Sequence, residues 1–226
     1  MRIDFHVHTR HSMDSLIRPT DLAKKSARLG IIPALADHNS IKSHADMHVL
    51  GAPCINGEEI FTDKGDLVGL FMNELIPKGT PFLEAIDRIH EQGGLAYLPH
   101  MFDHGRSGKH VSEKEAPKAD IIEVFNARCL NRGFNGKAAD FATQHSLQKG
   151  VGTDSHFLFE FGTTYAELPD FDIDSPSAML KSLKSKNVRF TTKQTRLYAR
   201  GTTTVISAAR RLWRRIKGSV ALPKKY

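Results

Sequence analysis

Residues 3–15 read IDFHVHTRHSMDS, which brings His6, His8 and His11 close to Asp4 and Asp14. Ile3, Phe5 and Val7 alternate with Asp4, His6 and His8. Alternate side chains of a strand share a face, so both imidazoles would point the same way, together with Asp4. Paired imidazoles on one face are a common way to hold a metal ion. Such a pair needs further ligands, and later segments offer them: ADH at 36–38, GEE at 57–59, LPH at 98–100, FNAR at 125–128 and TDSH at 153–156. Mixed imidazole and carboxylate shells suit zinc, manganese or iron, and one carboxylate often bridges two ions. The set is large enough for more than one ion. With no cysteine among the ligands, open coordination positions and catalysis are expected, not a closed structural zinc site.

These groups must be positioned by the elements between them. IDFHVH reads as a strand, and PTDLAKKSARLG as a helix with Thr20 as N-cap and Gly30 as its stop. IIPALAD is a short apolar run typical of a buried strand. CINGEEIFT and DLVGLFM read as paired strands around DKG. PFLEAIDRIHEQGG is an amphipathic helix with Phe82, Ile86 and Ile89 on one face. LAYLPH, ADIIEVFN and GVGTDS are further strands, NGKAADFATQHS and DSPSAMLKSLKSKN further helices, and VRFTT a closing strand. This alternation predicts an α/β fold with a mainly parallel sheet. His6, His8, Asp37, His38, His100, Asn126, Asp154 and His156 then fall at the C-terminal ends of strands, the edge where a barrel collects its catalytic residues. An open doubly wound sheet uses the same edge.

A chain of 226 residues, 40% hydrophobic and 25% charged, has the composition of an ordinary globular protein. It has no apolar run of about eighteen residues and no secretory leader pattern. Cys54 and Cys129 form no CxxC pair. A cytoplasmic protein is expected. The net charge of +7 belongs to the C-terminal stretch: residues 196–226 hold nine Lys or Arg and no acid. A division into a body of residues 1–195 and a basic tail of 196–226 follows. Within the tail, Val205, Ile206, Leu212, Trp213 and Ile216 segregate from Arg210, Arg211, Arg214, Arg215 and Lys217 on a helical wheel. That amphipathic helix would either lie on the body or meet an anionic membrane surface, nucleic-acid phosphates or a partner chain. Since every ligand candidate precedes residue 157, the tail is expected to be dispensable for hydrolysis.

Taken in order, HVHTRHSMDS, ADHNSI, NGEEI, LPHMFD, IEVFNAR and GTDSH resemble the successive motifs of the PHP (polymerase and histidinol phosphatase) superfamily of metal-dependent phosphoesterases. The resemblance spans residues 1–165 and implies a distorted (β/α)7 barrel with two or three divalent ions, commonly manganese, zinc or iron. By resemblance, His6, His8 and Asp154 hold a first ion, Glu59 bridges it to a second that His100 also holds, and Asp14, His38 and His156 surround a third. Asn126 departs from the pattern, because some members have His or Cys there; it would either be a poorer ligand than imidazole or orient a water or a phosphate. The implied reaction is hydrolysis of a phosphate ester, first of all a phosphomonoester of a small metabolite or nucleotide. The alternatives are a nuclease acting on oligonucleotide ends and a metal-bound regulatory module without turnover.

The remaining candidates take supporting roles. Arg106, Lys109 and Arg128 are expected to clamp the non-bridging phosphate oxygens. His11 is a candidate phosphate donor, and His104 a candidate proton donor to the leaving group. Asp37 is expected to orient an imidazole. Glu58 competes with Glu59 for the bridging position.

Overall fold

The computed structural model describes residues 1–104, 106, 108–195, 199, 201–203, 205–206, 208–210 and 212, with Arg132 described by its backbone alone. Trp213, Ile216, Arg211, Arg214, Arg215 and Lys217, and with them most of the amphipathic tail helix, lie outside the described residues.

The first strand, β1 (Arg2–Val7), is buried along all but its first residue, and His8 follows at its C-terminal end. Pro19 fixes φ at the start of α1 (Pro19–Leu29) and needs no backbone N–H there. The N-cap is therefore Arg18, with extended backbone, and not Thr20. Gly30 ends this helix in the left-handed conformation (φ 63°), as its position in the sequence suggests. β2 (Ile31–Leu35) and the two-residue β3 (Asp37–His38) follow, then α2 (Lys42–Val49), which the sequence reading left unassigned. Only Ser43 and Met47 of α2 are buried, so no apolar stripe announces it. β4 (Gly57–Thr62) and β5 (Gly65–Leu70) form the expected hairpin. After them come α3 (Phe82–Glu91), β6 (Leu95–Leu98), β7 (Ile121–Asn126), α4 (Arg132–Gln144) and β8 (Gln148–Gly152). β9 (Tyr165–Glu167), α5 (Pro176–Leu183) and β10 (Arg189–Thr191) complete the chain order.

The fold is mixed α/β, and the sheet is less parallel than expected. The strands form two sheets, ordered β10-β9-β1-β2 and β3-β4-β5-β6-β7-β8. β1–β2, β3–β4, β6–β7 and β7–β8 pair parallel, whereas β4–β5, β5–β6, β1–β9 and β9–β10 pair antiparallel. Among the described residues hydrogen bonding thus gives two sheets and no continuous ring of seven strands. Single parallel bridges, Val7 to Ser155 and Ala34 to Ile55, tie one sheet to the other.

Phe5, Ile60, Leu67, Tyr97, Ile122 and Val151 belong to the main core, with Phe5 and Tyr97 stacked at 5.8 Å between ring centroids. Each such buried side chain contributes roughly 1.5–3 kcal/mol. A smaller cluster of Val7, Ile17, Leu22, Leu35 and Met47 packs elsewhere, with Leu22 drawn from α1 and Met47 from α2. These apolar layers hold rigid the strand ends that carry the polar residues.

Candidate metal centre

Eight side chains from six separate segments converge at those strand ends. His6 Nε2 lies 3.1 Å from His8 Nε2, a contact that only alternation along β1 allows. His8 Nε2 is 3.2 Å from Asp154 Oδ1, and His6 Nε2 is 3.8 Å from the same oxygen. Glu59 stands between two groups of imidazoles. Its Oε1 is 3.6 Å from His6 Nε2 and 3.3 Å from His100 Nε2, while its Oε2 is 3.5 Å from His8 Nε2 and 2.8 Å from His38 Nδ1. Asp14 Oδ2 faces His156 Nε2 at 3.2 Å and His38 Nε2 at 3.6 Å. Among the described residues three triads have ligand atoms mutually close enough to share an ion: His6–His8–Asp154, His6–Glu59–His100 and His8–His38–His156.

Buried partners aim these ligands. His6 Nδ1 is 3.2 Å from Glu123 Oε1, so a proton there leaves Nε2 free to ligate. His8 Nδ1 meets Ser12 Oγ at 3.1 Å, and Ser12 donates to Asp37 Oδ1 at 2.8 Å. Asp37 also accepts from the backbone and hydroxyl of Thr9, both at 2.7 Å, and thus orients an imidazole through Ser12. His156 Nδ1 is 2.8 Å from the Asp154 carbonyl. His100 and Asp154 both adopt positive φ, 31° and 52°, conformations rare for residues with a Cβ and held here by their surroundings. Gly152 makes room: a Cβ there would stand 2.4 Å from His6 Cβ and 2.7 Å from Glu123 Oε1.

The electrostatics favour a cation. Burial alone would lower His6, but Asp154, Glu59 and Glu123 carry it well above the usual imidazole range. His38 is raised against burial by Glu59 and Asp14. His8 is pushed down to about 3 by burial and by His156 and His38 beside it. Burial opposes ionisation of Asp154 and Glu59, yet Arg106 and His6 hold Asp154, and His38 and His6 hold Glu59, well below the usual carboxylate range. Among the described residues the buried Asp14 Oδ1 has no hydrogen-bond donor, while Glu59 Oε2 is met by His38 Nδ1. Ionised carboxylate oxygens buried among converging imidazole nitrogens, one of them without a donor, are a donor set that fits divalent ions.

Glu58, one residue from Glu59, faces the other side of β4 and accepts from Ile76 N at 2.9 Å. Arg106 reaches the centre, with Nη1 2.5 Å from Asp154 Oδ2 and Nη2 3.0 Å from Asn126 Oδ1. Asn126 Nδ2 donates to Glu123 Oε2 at 2.9 Å and to Asp154 Oδ2 at 3.2 Å, so its amide lies in contact with the ligands. The other expected residues make these contacts. His11 pairs with Asp46 at 2.8 Å, His104 packs on His110, and Lys109 lies over the Phe61 ring. Arg128 is buried, with Nε 3.4 Å from Glu160 Oε1, and donates to the Ala199 carbonyl at 2.7 Å and Thr203 Oγ1 at 3.4 Å.

Sequence reasoning missed Glu123 and Glu160. Besides His6, Glu123 receives Tyr97 OH at 3.0 Å and His100 N at 2.9 Å. A single acid inside the apolar strand IIEVF was the available signal. A register shift between Glu123 and Phe125 brings Glu123 and Asn126, three residues apart, within hydrogen-bond reach of one another. Glu160 accepts from His156 N and Phe157 N at 2.8 and 2.9 Å, and nothing in FLFEF marks it.

Comparison with known proteins adds the following. A family model described as PHP-associated matches residues 132–188. An uncharacterized protein of Methanocaldococcus jannaschii is 36% identical over 197 residues, covering 82% of this chain and 80% of its own. A second from that organism is 35% identical over 144 residues, covering 56% and 82%. Among solved structures, similar folds include a two-domain protein of Bacteroides vulgatus described as containing a predicted PHP-like metal-dependent phosphoesterase (TM-score 0.65, 17% identity, 91% of this chain and 69% of that one). PsfC of Pseudomonas syringae has a TM-score of 0.62 at 14% identity, with 94% and 98% covered. The lesion-specific endonuclease PfuEndoQ of Pyrococcus furiosus has a TM-score of 0.58 at 16% identity, with 84% and 58% covered. No helix among the described residues is long and apolar enough to cross a membrane.

Proposed function

The chain belongs to the PHP superfamily, and on that premise we propose that it is a metal-dependent hydrolase of phosphate esters, acting on phosphomonoesters of a small metabolite or nucleotide. The observation that carries this reading is Glu59, whose two oxygens face His6 and His100 on one side and His8 and His38 on the other. A carboxylate so shared suits a bridge between two ions. His6, His8 and Asp154 would hold the first ion, Glu59 and His100 the second, and Asp14, His38 and His156 a third. Such ions, manganese, zinc or iron, would supply Lewis-acid polarisation of the phosphate and lower the pKa of a water towards ~7. The chain's own residues do the rest. Glu123 and the Asp37–Ser12 pair keep the ligating nitrogens of His6 and His8 turned inward. Arg106 brings a permanent charge for a non-bridging oxygen, and Asn126 orients Arg106 and Asp154.

The barrel expected from the sequence is supported by the single bridges that join the two sheets, and residues 1–195 form its body. Fold likeness to a lesion-specific endonuclease, with the nine basic residues of 196–226, favours one second reading, a nuclease acting on oligonucleotide ends. Metal-stripped protein refilled with Mn2+ or Zn2+ and assayed on phosphorylated metabolites and short oligonucleotides separates the two. Metal-dependent release of phosphate from a metabolite or mononucleotide is expected. Turnover of oligonucleotides alone would move the assignment to the nuclease, and hydrolysis of neither would remove the proposal.

A further inference from the structure

The segment of residues 12–15 does four jobs at the centre. Ser12 Oγ receives the His38 backbone N–H at 3.0 Å and touches His8 Nδ1, and Asp14 faces His38 and His156. Ser15 Oγ donates to the carbonyls of His8 and His156, at 3.1 and 3.2 Å. The carbonyls of Ser12, Met13 and Ser15 converge on one atom, Arg210 Nη1, at 3.1, 3.1 and 3.0 Å. Three carbonyl dipoles gathered beside a carboxylate repel one another unless a cation sits among them. A residue nearly two hundred positions away supplies it.

The route of the C-terminal segment makes this contact specific. Thr195 N donates to the Ala127 carbonyl at 2.8 Å and Thr195 Oγ1 to Glu160 at 3.0 Å. Arg128 then takes Ala199 and Thr203, so the segment is tied to the loops that carry Asn126 and His156 before Arg210 reaches the third loop. We propose that Arg210 is a positioning residue for Asp14: by gathering the three carbonyls it fixes the loop so that Asp14 faces His38 and His156, and so sets the affinity for the cation those three take. The proposal rests on Asp14, His38 and His156 being ligands.

The test uses the full chain. Mn2+ binding by equilibrium dialysis and electron paramagnetic resonance, with Tm alongside, is compared for wild type, Arg210→Ala and Arg210→Lys, each also in an Asp14→Asn background. Arg210→Ala should weaken one bound Mn2+ roughly tenfold, in line with the loss of a group that supports a ligand, and leave the others unchanged. Arg210→Lys keeps a cation with three donors and should recover most of that loss. In the Asp14→Asn background Arg210→Ala should change Mn2+ binding no further. Wild-type Mn2+ binding by Arg210→Ala, or an equal loss with and without Asp14, overturns the proposal. Should Arg210→Ala fail to fold, Arg210→Gln decides: wild-type affinities in that variant overturn it. A wild type that takes up no Mn2+ removes the function reading and this proposal together, whereas ions bound with no Arg210 effect remove this proposal alone.

Discussion

Glu58 and Glu59 are neighbours in β4 and face opposite ways, because side chains of a strand alternate. Glu59→Ala is expected to abolish turnover, and Glu58→Ala to be milder; kcat of the Mn2+-loaded variants checks the order. Glu58 has its own signature. Burial pushes its carboxyl up to about 7, against roughly 4.3 for an unfolded chain. The folded protein therefore binds the extra proton, and stability falls as pH rises from about 4 to about 7, by something on the order of 3 kcal/mol. Glu58→Gln should flatten that fall, seen as Tm changing less between pH 5 and pH 8 than in wild type. Glu123→Gln keeps the shape while removing the charge opposite His6 Nδ1, and should weaken metal affinity about 10–100-fold; a Mn2+ titration reads it directly. Glu123 escaped the sequence reading because it lies inside a buried strand, whereas His6, His8, His38, His100, Asp154 and His156 stand at strand ends next to other polar residues, where a pattern can be seen.

The elements contribute precision that residue types do not reveal. Gly152 closes β8 against His6, and Gly152→Ala should cost about 1–3 kcal/mol through overpacking and displace His6; a lower Tm together with weaker Mn2+ binding would register both. Helices with a marked apolar face or a Pro start, such as α3 and α1, were legible, as was the β4–β5 hairpin around its short turn. α2 was not, because its two buried residues leave no periodic stripe. Nor was the mixed character of the sheets, since β4, β5 and β6 pair antiparallel through hydrogen bonds that leave no imprint on composition. The positive φ of His100 and Asp154 was equally invisible, since neither residue is Gly or Asn.

At the scale of the whole molecule, the gathering of the candidate ligands at one edge followed from sequence order, while the path of the C-terminal segment did not. Its basic residues read as a surface feature. Yet Arg210 and the acceptors of Arg128 tie the segment to the loops of the centre. Truncation after Lys193, expected from sequence to leave hydrolysis of a small phosphomonoester within a fewfold, should lower stability by about 1–3 kcal/mol because buried Arg128 loses acceptors; denaturant unfolding measures it. The claim on which everything else stands is a shared multi-ion centre built around Glu59. It is tested most directly by stripping the full-length protein of metal and titrating Mn2+ back while counting bound ions and following phosphomonoester hydrolysis. Two or three ions bound per chain, with hydrolysis returning as they bind and lost in Glu59→Ala, is the predicted result. A chain that takes up no ion, or that hydrolyses the ester equally well when stripped, would contradict it.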